Sequence, residues 1–136
     1  MKPGVTGIGG VFFKSDDPIK LTEWYKKHLN FKLDEQGYMN FSWRESDNPE
    51  MKGLTVWSPF PKDTEYFNPG GNSYMINYRV HELDKLLKQL REAGVEVDEK
   101  VEEYDYGKFA WIMDPEGNRV ELWEPSDDAN ELFGAG

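Results

Sequence analysis

The stretch YGKFAWIMDPEGNRVEL, residues 106–122, decides the fold. Two runs rich in β-branched and aromatic residues, GKFAWIM (107–113) and NRVELWEP (118–125), flank the turn-forming sequence DPEGN (114–118). Proline fixes φ and glycine permits positive φ, so this sequence suits a tight turn and needs no catalytic role. The stretch therefore predicts an antiparallel β-hairpin.

The hairpin completes a pattern that begins at residue 73. Residues 73–80 form a strand-like run, and Leu83, Leu86, Leu87 and Leu90 follow at helical spacing, with Gly94 suited to end the helix. A third β-prone run, VEVDE (95–99), precedes the hairpin. The second half of the chain is therefore predicted to be β-α-β-β-β.

The first half has the same order of elements. The apolar run 5–13 predicts a strand, and Asp17 with Pro18 predicts the start of a helix that runs to about Leu29. Three short runs follow, FKLDE (31–35), YMNFSW (38–43) and GLTVWSP (53–59), each predicted to be a strand.

These patterns divide the chain into two modules within a single domain, residues 1–136. The first module spans 5–58, a proline- and glycine-rich connection or lid spans 59–72, the second module spans 73–125, and an acidic tail spans 126–136. In the tail, Leu132 and Phe133 are the sizeable apolar residues, and it is expected to fray or to pack on a partner chain. The closing strands also match in their letters: LTVWSP (54–59) aligns with VELWEP (120–125), which favours duplication and pairs Thr55 with Glu121.

Paired β-α-β-β-β modules that end in DPEGN and VEL resemble the vicinal oxygen chelate superfamily, which includes glyoxalases, bleomycin-resistance proteins and extradiol dioxygenases. The resemblance covers about Val5 to Pro125. It implies an α+β fold in which the two modules form a curled, half-open barrel around a cavity, with the helices outside. It also implies a homodimer, in which modules pair either within one chain or across two.

The resemblance further implies four positions at which metal-binding members carry ligands, on the first and last strand of each module. Here they map to Gly10, Thr55, Met75 and Glu121. A catalytic divalent ion needs about three or more nitrogen or oxygen donors, so Glu121 alone cannot hold one. Neither His28, within the first helix, nor His81, before the second, completes the set. We therefore expect no metal and no other cofactor.

Strand alternation suggests which side chains face the cavity. If Glu121 points inward, so do Arg119 and Trp123, which lie two residues away on either side. The same alternation applies to the matched strand of the first module. Ser42 and Arg44 share a face, and whether this face meets the cavity stays open. The expected ligand-binding residues are Arg44, Thr55, Trp57, Met75, Asn77, Arg79, Arg119 and Trp123, with Glu121 as the candidate catalytic residue.

These residues predict an aromatic pocket that contains several cationic groups. A carboxylate between Arg79 and Arg119 should stay ionised, so that Glu121 orients a ligand more readily than it acts as a base. The alternatives are that Glu121 and Arg119 form an internal ion pair and that Trp57 and Trp123 only pack.

Composition narrows the possible partners. The chain has 26 acidic and 16 basic residues, a formal charge of −10, which disfavours nucleic acid and anionic bilayer surfaces. It has no cysteine, which excludes disulfides and thiolate ligands. No segment approaches the roughly 20 apolar residues of a membrane span, so a cytoplasmic protein is expected.

Three functions follow from these observations. The first is metal-free binding of a small organic molecule, partly aromatic and, given the expected arginines, anionic. The second is a metal-dependent glyoxalase-like lyase or isomerase, with Glu121 as metal ligand or proton shuttle. The third is an interaction protein whose cavity is vestigial.

Overall fold

A computed structural model describes residues 3–34 and 38–127. Seven strands form one sheet in the order β2-β3-β1-β4-β7-β6-β5. Their bounds are β1 Gly4–Ser15, β2 Met39–Arg44, β3 Lys52–Pro61, β4 Tyr74–His81, β5 Val97–Tyr104, β6 Gly107–Met113 and β7 Arg119–Pro125.

The two halves of the chain use the same strand arrangement. In each half the first strand pairs in parallel with the last, β1 with β3 and β4 with β7. The halves join within one chain, because β1 and β4 pair antiparallel at the centre of the sheet. The α+β fold with a curled, open sheet, which the resemblance to the vicinal oxygen chelate superfamily implied, is confirmed.

Both predicted helices are present. Helix α1, Pro18–Leu29, begins where the Asp17 carboxylate accepts a hydrogen bond from the Lys20 backbone N–H at 3.0 Å, and it ends at Asn30 in a left-handed conformation. Helix α2, Leu83–Glu92, buries Leu83 and Leu87 against the sheet. It is followed by Gly94 at φ +84°.

The hairpin of residues 107–125 is formed as predicted. Strands β6 and β7 pair in register from Gly107↔Pro125 to Met113↔Arg119. In the turn the Asp114 carboxylate accepts from the backbone N–H groups of Glu116 and Asn118, both at 2.9 Å. The Asp114 side chain thus satisfies backbone N–H groups of the turn, and the two strands joined by the turn position the site.

One predicted strand is wrong. In the FKLDE segment only Leu33 pairs, in a single bridge to Met39, and residues 35–37 lie outside the described part. Most of the tail, residues 128–136 with Leu132 and Phe133, also lies outside it. Within the described ranges, no helix has the length and apolarity needed to cross a membrane.

The two faces of the sheet have different environments. On the convex face, α2 packs on Val80, Ala110 and Leu122. On the concave face, Leu54, Val56 and Trp123 form one buried cluster; Phe67, Met75 and Trp111 form another. The concave face therefore surrounds the cavity that the family resemblance implied.

Candidate ligand-binding cavity

A cavity of about 270 Å³ opens on the concave face of the sheet. Among the residues that the structure describes, fifteen line the cavity; nine of them are aromatic, and the charged ones are Glu102 and Glu121. The lining residues are Gly9, Phe12, Tyr38, Val56, Ser58, Phe60, Tyr66, Asn77, Glu102, Tyr104, Tyr106, Phe109, Trp111, Glu121 and Trp123.

Three pairs of rings in the cavity wall are nearly parallel. Phe109 and Trp123 have ring centroids 5.6 Å apart and planes 8° apart. Phe60 and Tyr66 lie 5.7 Å apart at 8°, and the rings of Tyr104 and Tyr106 lie 5.3 Å apart at 14°. Offset-stacked rings are a favoured arrangement of aromatic pairs, and here they present π surface to a bound molecule.

Glu121 lies at the floor of the cavity and is 1% exposed. Its carboxylate accepts three hydrogen bonds: from the Asn77 amide at 2.6 Å, from the Trp111 indole N–H at 2.9 Å and from the Tyr66 hydroxyl. The donors come from β4, β6 and the connection between the modules, so three elements fix the orientation of this side chain. Asn77 Oδ1, which is also buried, has no hydrogen-bond partner.

Burial raises the pKa of Glu121, although its three hydrogen bonds and the charge of Arg119 act in the opposite direction. The prediction that neighbouring arginines hold this carboxyl ionised underestimated desolvation. A carboxyl group with a raised pKa stays partly protonated to a higher pH than an ordinary carboxyl group. A bound positive charge would stabilise its ionised form.

Tyr66 is the main site residue that sequence analysis missed. It lies in the connection between the modules, which has no periodicity to indicate where a side chain points. Its neighbour Phe67 is 1% exposed and anchors the segment against Met75 and Trp111. Burial and the negative charge of Glu121 raise the pKa of Tyr66, so its hydroxyl stays a hydrogen-bond donor.

Two of the three predicted arginines, Arg79 and Arg119, lie beside the cavity and do not line it. Arg119 donates to the backbone oxygen of Tyr66 and forms an ion pair with Asp98 at 3.7 Å, so the alternative of an ion pair with Glu121 is wrong. Arg79 is 5% exposed, with its guanidinium 4.9 Å from the ring centroid of Trp123 and 5.6 Å from that of Trp43. Burial lowers the pKa of Arg79 to about 10, which leaves it charged at neutral pH.

The cationic character predicted for the cavity is therefore wrong. Arg79 supports the wall from behind Trp123, and Arg119 lies 4.9 Å from the ring centroid of Trp111. In both cases the charge is placed against an aromatic face, an arrangement that is favourable for a guanidinium. Both arginines thus hold the aromatic wall in place.

Three predicted residues are placed away from the cavity. Arg44 is exposed and donates to the backbone oxygen of Pro49 at 3.3 Å. The Thr55 hydroxyl donates to the Ile8 backbone oxygen and accepts from the Trp43 indole at 2.9 Å. Trp57 packs against helix α1, with its ring centroid 4.7 Å from that of Tyr25.

The strand register explains the errors at Thr55 and Trp57. Glu121 pairs with Asn77, Asn77 pairs with Gly10, and Gly10 pairs with Val56. Val56 and Gly10 are thus the first-module equivalents of Glu121 and Asn77. The alignment of LTVWSP with VELWEP is one residue out of phase, and a shift of one residue moves every side chain to the other face.

The same register corrects the four metal-ligand positions to Gly10, Val56, Asn77 and Glu121. Met75, assigned to one of them from sequence, is fully buried and packs with Phe67 and Trp111. Gly10 and Val56 offer no donor side chain, and the Asn77 amide nitrogen is bonded to Glu121. These four residues do not fit a metal ion.

The rest of the described structure does not supply a replacement set. Within residues 3–34 and 38–127, no three histidine, aspartate or glutamate side chains come together in a way that could hold a metal. His81 pairs with Glu45 at 3.1 Å, and the His28 ring packs on Trp24. Neither histidine lines the cavity.

Comparison with known proteins identifies a family and several structures of the same fold. The model of the Glyoxalase/Bleomycin resistance protein/Dioxygenase superfamily matches residues 7–122. A methylmalonyl-CoA epimerase from Mycobacterium tuberculosis is 21% identical, with a TM-score of 0.58 and 93% of each chain covered.

Two other solved structures have similar coverage. A methylmalonyl-CoA epimerase variant from Streptomyces coelicolor is 15% identical, with a TM-score of 0.66 over 90% of this chain and 99% of that one. A superfamily member from Vibrio splendidus 12B01 is 12% identical, with a TM-score of 0.55 over 90% and 99% of the two chains. No curated protein matches the sequence. At these identities the structural matches establish the fold alone.

Proposed function

Because the chain belongs to the glyoxalase, bleomycin-resistance and dioxygenase superfamily, we propose that it uses the superfamily's cavity to bind a small, flat organic cation without a metal ion. The observation that carries this proposal is the lining itself: in the described part of the chain it combines nine aromatic side chains with two carboxyl groups and no basic side chain. This revises the anionic ligand that the sequence favoured.

The electrostatics of the cavity favour a positive charge. Aromatic faces attract cations, more strongly when water is excluded. The pKa of Glu102 is lowered, chiefly by the hydrogen bond from Tyr104, so a negative charge is present at neutral pH. The net charge of −10 would also attract a cation toward the protein. An anion entering the same space would meet two carboxyl groups and, among the described lining residues, no basic side chain in direct contact, because Arg79 and Arg119 lie behind the aromatic wall.

Cavity size limits the ligand. Ligand pockets commonly measure about 300–1,000 Å³, and this one, at about 270 Å³, is near the lower end. The near-parallel ring pairs suit a planar molecule. A one- or two-ring heteroaromatic or quaternary ammonium compound meets both requirements.

Probes of matched shape and different charge test the proposal. We expect calorimetry at neutral pH, in the presence of a chelator, to show that 1-methylquinolinium binds at least about tenfold more tightly than quinoline, because of its cation–π and carboxylate contacts. We expect 2-naphthoate to bind most weakly. The chelator serves as the control for metal dependence.

Two results would count against this function. Equal or tighter binding of 2-naphthoate would show that the cavity does not select positive charge. A requirement for added nickel, zinc, manganese or iron would favour the metal-dependent alternative.

A second candidate is an isomerase or lyase that uses Glu121 to move a proton. It is favoured by the raised pKa of Glu121 and by the neighbouring Tyr66 hydroxyl, since a carboxyl group whose pKa lies above its ordinary value is better suited to accept and return a proton. Incubation with methylmalonyl-CoA in D2O, followed by mass spectrometry, tests it. We expect no deuterium at the carbon next to the carbonyl, because the described lining residues include no basic side chain to hold an anionic substrate; incorporation that Glu121→Gln abolishes would establish the enzyme instead.

A further inference from the structure

The floor of the cavity contains a hydrogen-bond acceptor that the described part of the protein does not use. Asn77 lines the cavity and is 1% exposed. Its amide nitrogen donates to Glu121 Oε1 at 2.6 Å, whereas its amide oxygen, Oδ1, has no hydrogen-bond partner among the described residues. Buried polar atoms are nearly always paired, so an unpaired acceptor in a cavity wall suits a donor that comes from outside the protein.

Glu121 determines the orientation of the Asn77 amide. An ionised carboxylate can only accept hydrogen bonds, so the amide turns its nitrogen, and not its oxygen, toward Glu121 Oε1. The other carboxylate oxygen, Oε2, accepts from the Tyr66 hydroxyl and from the Trp111 indole N–H. Within the described ranges Oε1 accepts from Asn77 alone, and it keeps a lone pair for a second donor. Two acceptors, Glu121 Oε1 and Asn77 Oδ1, therefore lie one amide group apart.

A glycine in β1 allows the unpaired oxygen to hold its position. Gly9 lines the same cavity and is the extra residue of a β-bulge, since Ile8 pairs with Tyr78 and Gly10 pairs with Asn77. A Cβ at residue 9 would lie 2.3 Å from Asn77 Oδ1, which is too close for both atoms to stay in place. The backbone of Gly9 is outside the left-handed region. The position therefore requires the absence of a side chain, and not a special backbone conformation.

We propose that Asn77 Oδ1 and Glu121 Oε1 together accept hydrogen bonds from an amino group that is conjugated with the ligand's cationic ring. The ligand class is thus an amino-substituted heteroaromatic cation, in which the amino group shares the positive charge of the ring. This inference rests on the proposed function, because it requires a flat cation in the cavity. A quaternary ammonium compound has no N–H group and would leave Asn77 Oδ1 unpaired.

The shape of such a ligand matches the cavity. A conjugated amino group lies in the plane of its ring and has two N–H donors, one for each acceptor. Hydrogen bonds in which one partner is charged are shorter and stronger than neutral ones, which favours this pairing with Glu121. The ring would lie among aromatic side chains such as Phe109 and Trp123, whose planes are 8° apart. One planar molecule can therefore use both the polar floor and the aromatic wall.

Two probes of equal charge and nearly equal shape test the proposal. 2-Amino-1-methylquinolinium carries the amino group, and 1,2-dimethylquinolinium has a methyl group in its place. Both keep a positive charge at neutral pH. We expect calorimetry with the full chain to show that the amino probe binds at least about tenfold more tightly, because it alone can pair Asn77 Oδ1. Equal affinities, or tighter binding of the dimethyl probe, would overturn the proposal.

Asn77→Leu distinguishes a ligand contact from a structural role. We expect this substitution to reduce the preference for the amino probe at least about fivefold. If the amide only positioned Glu121, both probes would lose affinity equally and the preference would remain, which would refute the proposal. Gly9→Ala should have the same effect on the preference, because its Cβ would displace the Asn77 oxygen, and it replaces Asn77→Leu if that variant does not fold. Gly71→Ala is the matched control: in the described structure a Cβ there has no neighbour within 4 Å, so the preference should not change.

The same titrations separate a failure of this inference from a failure of the proposed function. If both cations bind equally and more tightly than quinoline, the cavity selects positive charge without using Asn77 Oδ1, and this inference alone is wrong. If neither cation binds more tightly than quinoline, the proposed function is wrong and this inference with it.

Discussion

Replacing Trp123 with alanine is expected to lower the free energy of unfolding by about 3–5 kcal/mol and to abolish binding of 1-methylquinolinium. Trp123 is 2% exposed, packs with Leu54 and Val56, and is stacked on Phe109. Its indole N–H donates to the Tyr106 backbone oxygen at 2.9 Å. The substitution would remove one face of the cavity and the ring on which the Arg79 guanidinium lies.

Trp57→Ala provides the comparison for this prediction. Trp57 holds the matched place in the letter repeat, but it packs on α1 and does not line the cavity. Its loss should destabilise the protein while leaving the probe affinity of the folded molecules within about twofold. Trp123→Phe keeps an aromatic ring and tests binding if the alanine variant does not fold. Equal losses of affinity in the Trp57 and Trp123 variants would contradict the assignment of strand faces.

The second large effect is expected for Glu121→Gln. At a pH above the raised pKa of Glu121, where the carboxylate is ionised, removing this buried charge costs about 2 kcal/mol or more of binding free energy, which corresponds to an affinity for 1-methylquinolinium that is at least about 30-fold weaker. Glutamine also brings an amide donor to a position surrounded by the donors of Asn77, Trp111 and Tyr66. Glu121→Gln should therefore also lower the free energy of unfolding by about 1–3 kcal/mol.

The pH dependence of binding separates the charge effect from packing. The pKa of Glu121 is raised above its ordinary value of 4.5, and only the ionised carboxylate attracts the cation. Probe affinity should therefore rise as the pH increases through that raised pKa, and Glu121→Gln should remove the dependence over this range. Glu102→Gln is the control: the pKa of Glu102 is lowered, so the loss should be smaller and constant over the same range. An unchanged pH profile in Glu121→Gln would contradict the role of this carboxyl.

The parts of the fold that depend on local sequence could be predicted. The turn at 114–118, the cap at Asp17 and the spacing of the leucines in α2 each determine structure within a few residues, and all three are present. The strand prediction for the FKLDE segment was wrong because, among its described residues 31–34, a single bridge from Leu33 to Met39 stabilises an extended conformation.

The orientation of β3 could not be deduced with the same reliability. LTVW places apolar or aromatic residues on both faces, so its pattern does not indicate which face meets the cavity. Similarity of letters then favoured a register that pairing with β1 excludes, since Gly10 lies opposite Val56. By contrast, strand alternation predicted Asn77 on the cavity face, and Glu121, whose inward direction was assumed, lies on the same face and accepts a hydrogen bond from Asn77.

Long-range contacts determine the remaining properties of the site. Tyr66 reaches Glu121 across 55 positions in the sequence, from a segment without periodicity. The charges of Arg79 and Arg119 were apparent from sequence, but their stacking on Trp123 and Trp111 depends on three-dimensional packing. The balance between burial and nearby charge at Glu121 likewise depends on the complete cavity.

A crystal structure of the protein with 1-methylquinolinium, grown in the presence of a chelator, tests the central claim most directly. We expect density for the planar cation within the aromatic cavity, with its charged end toward the carboxyl groups of Glu121 and Glu102 and no metal ion beside it. A probe bound elsewhere, an empty cavity at saturating probe concentration, or a metal ion retained at Glu121 would contradict the account.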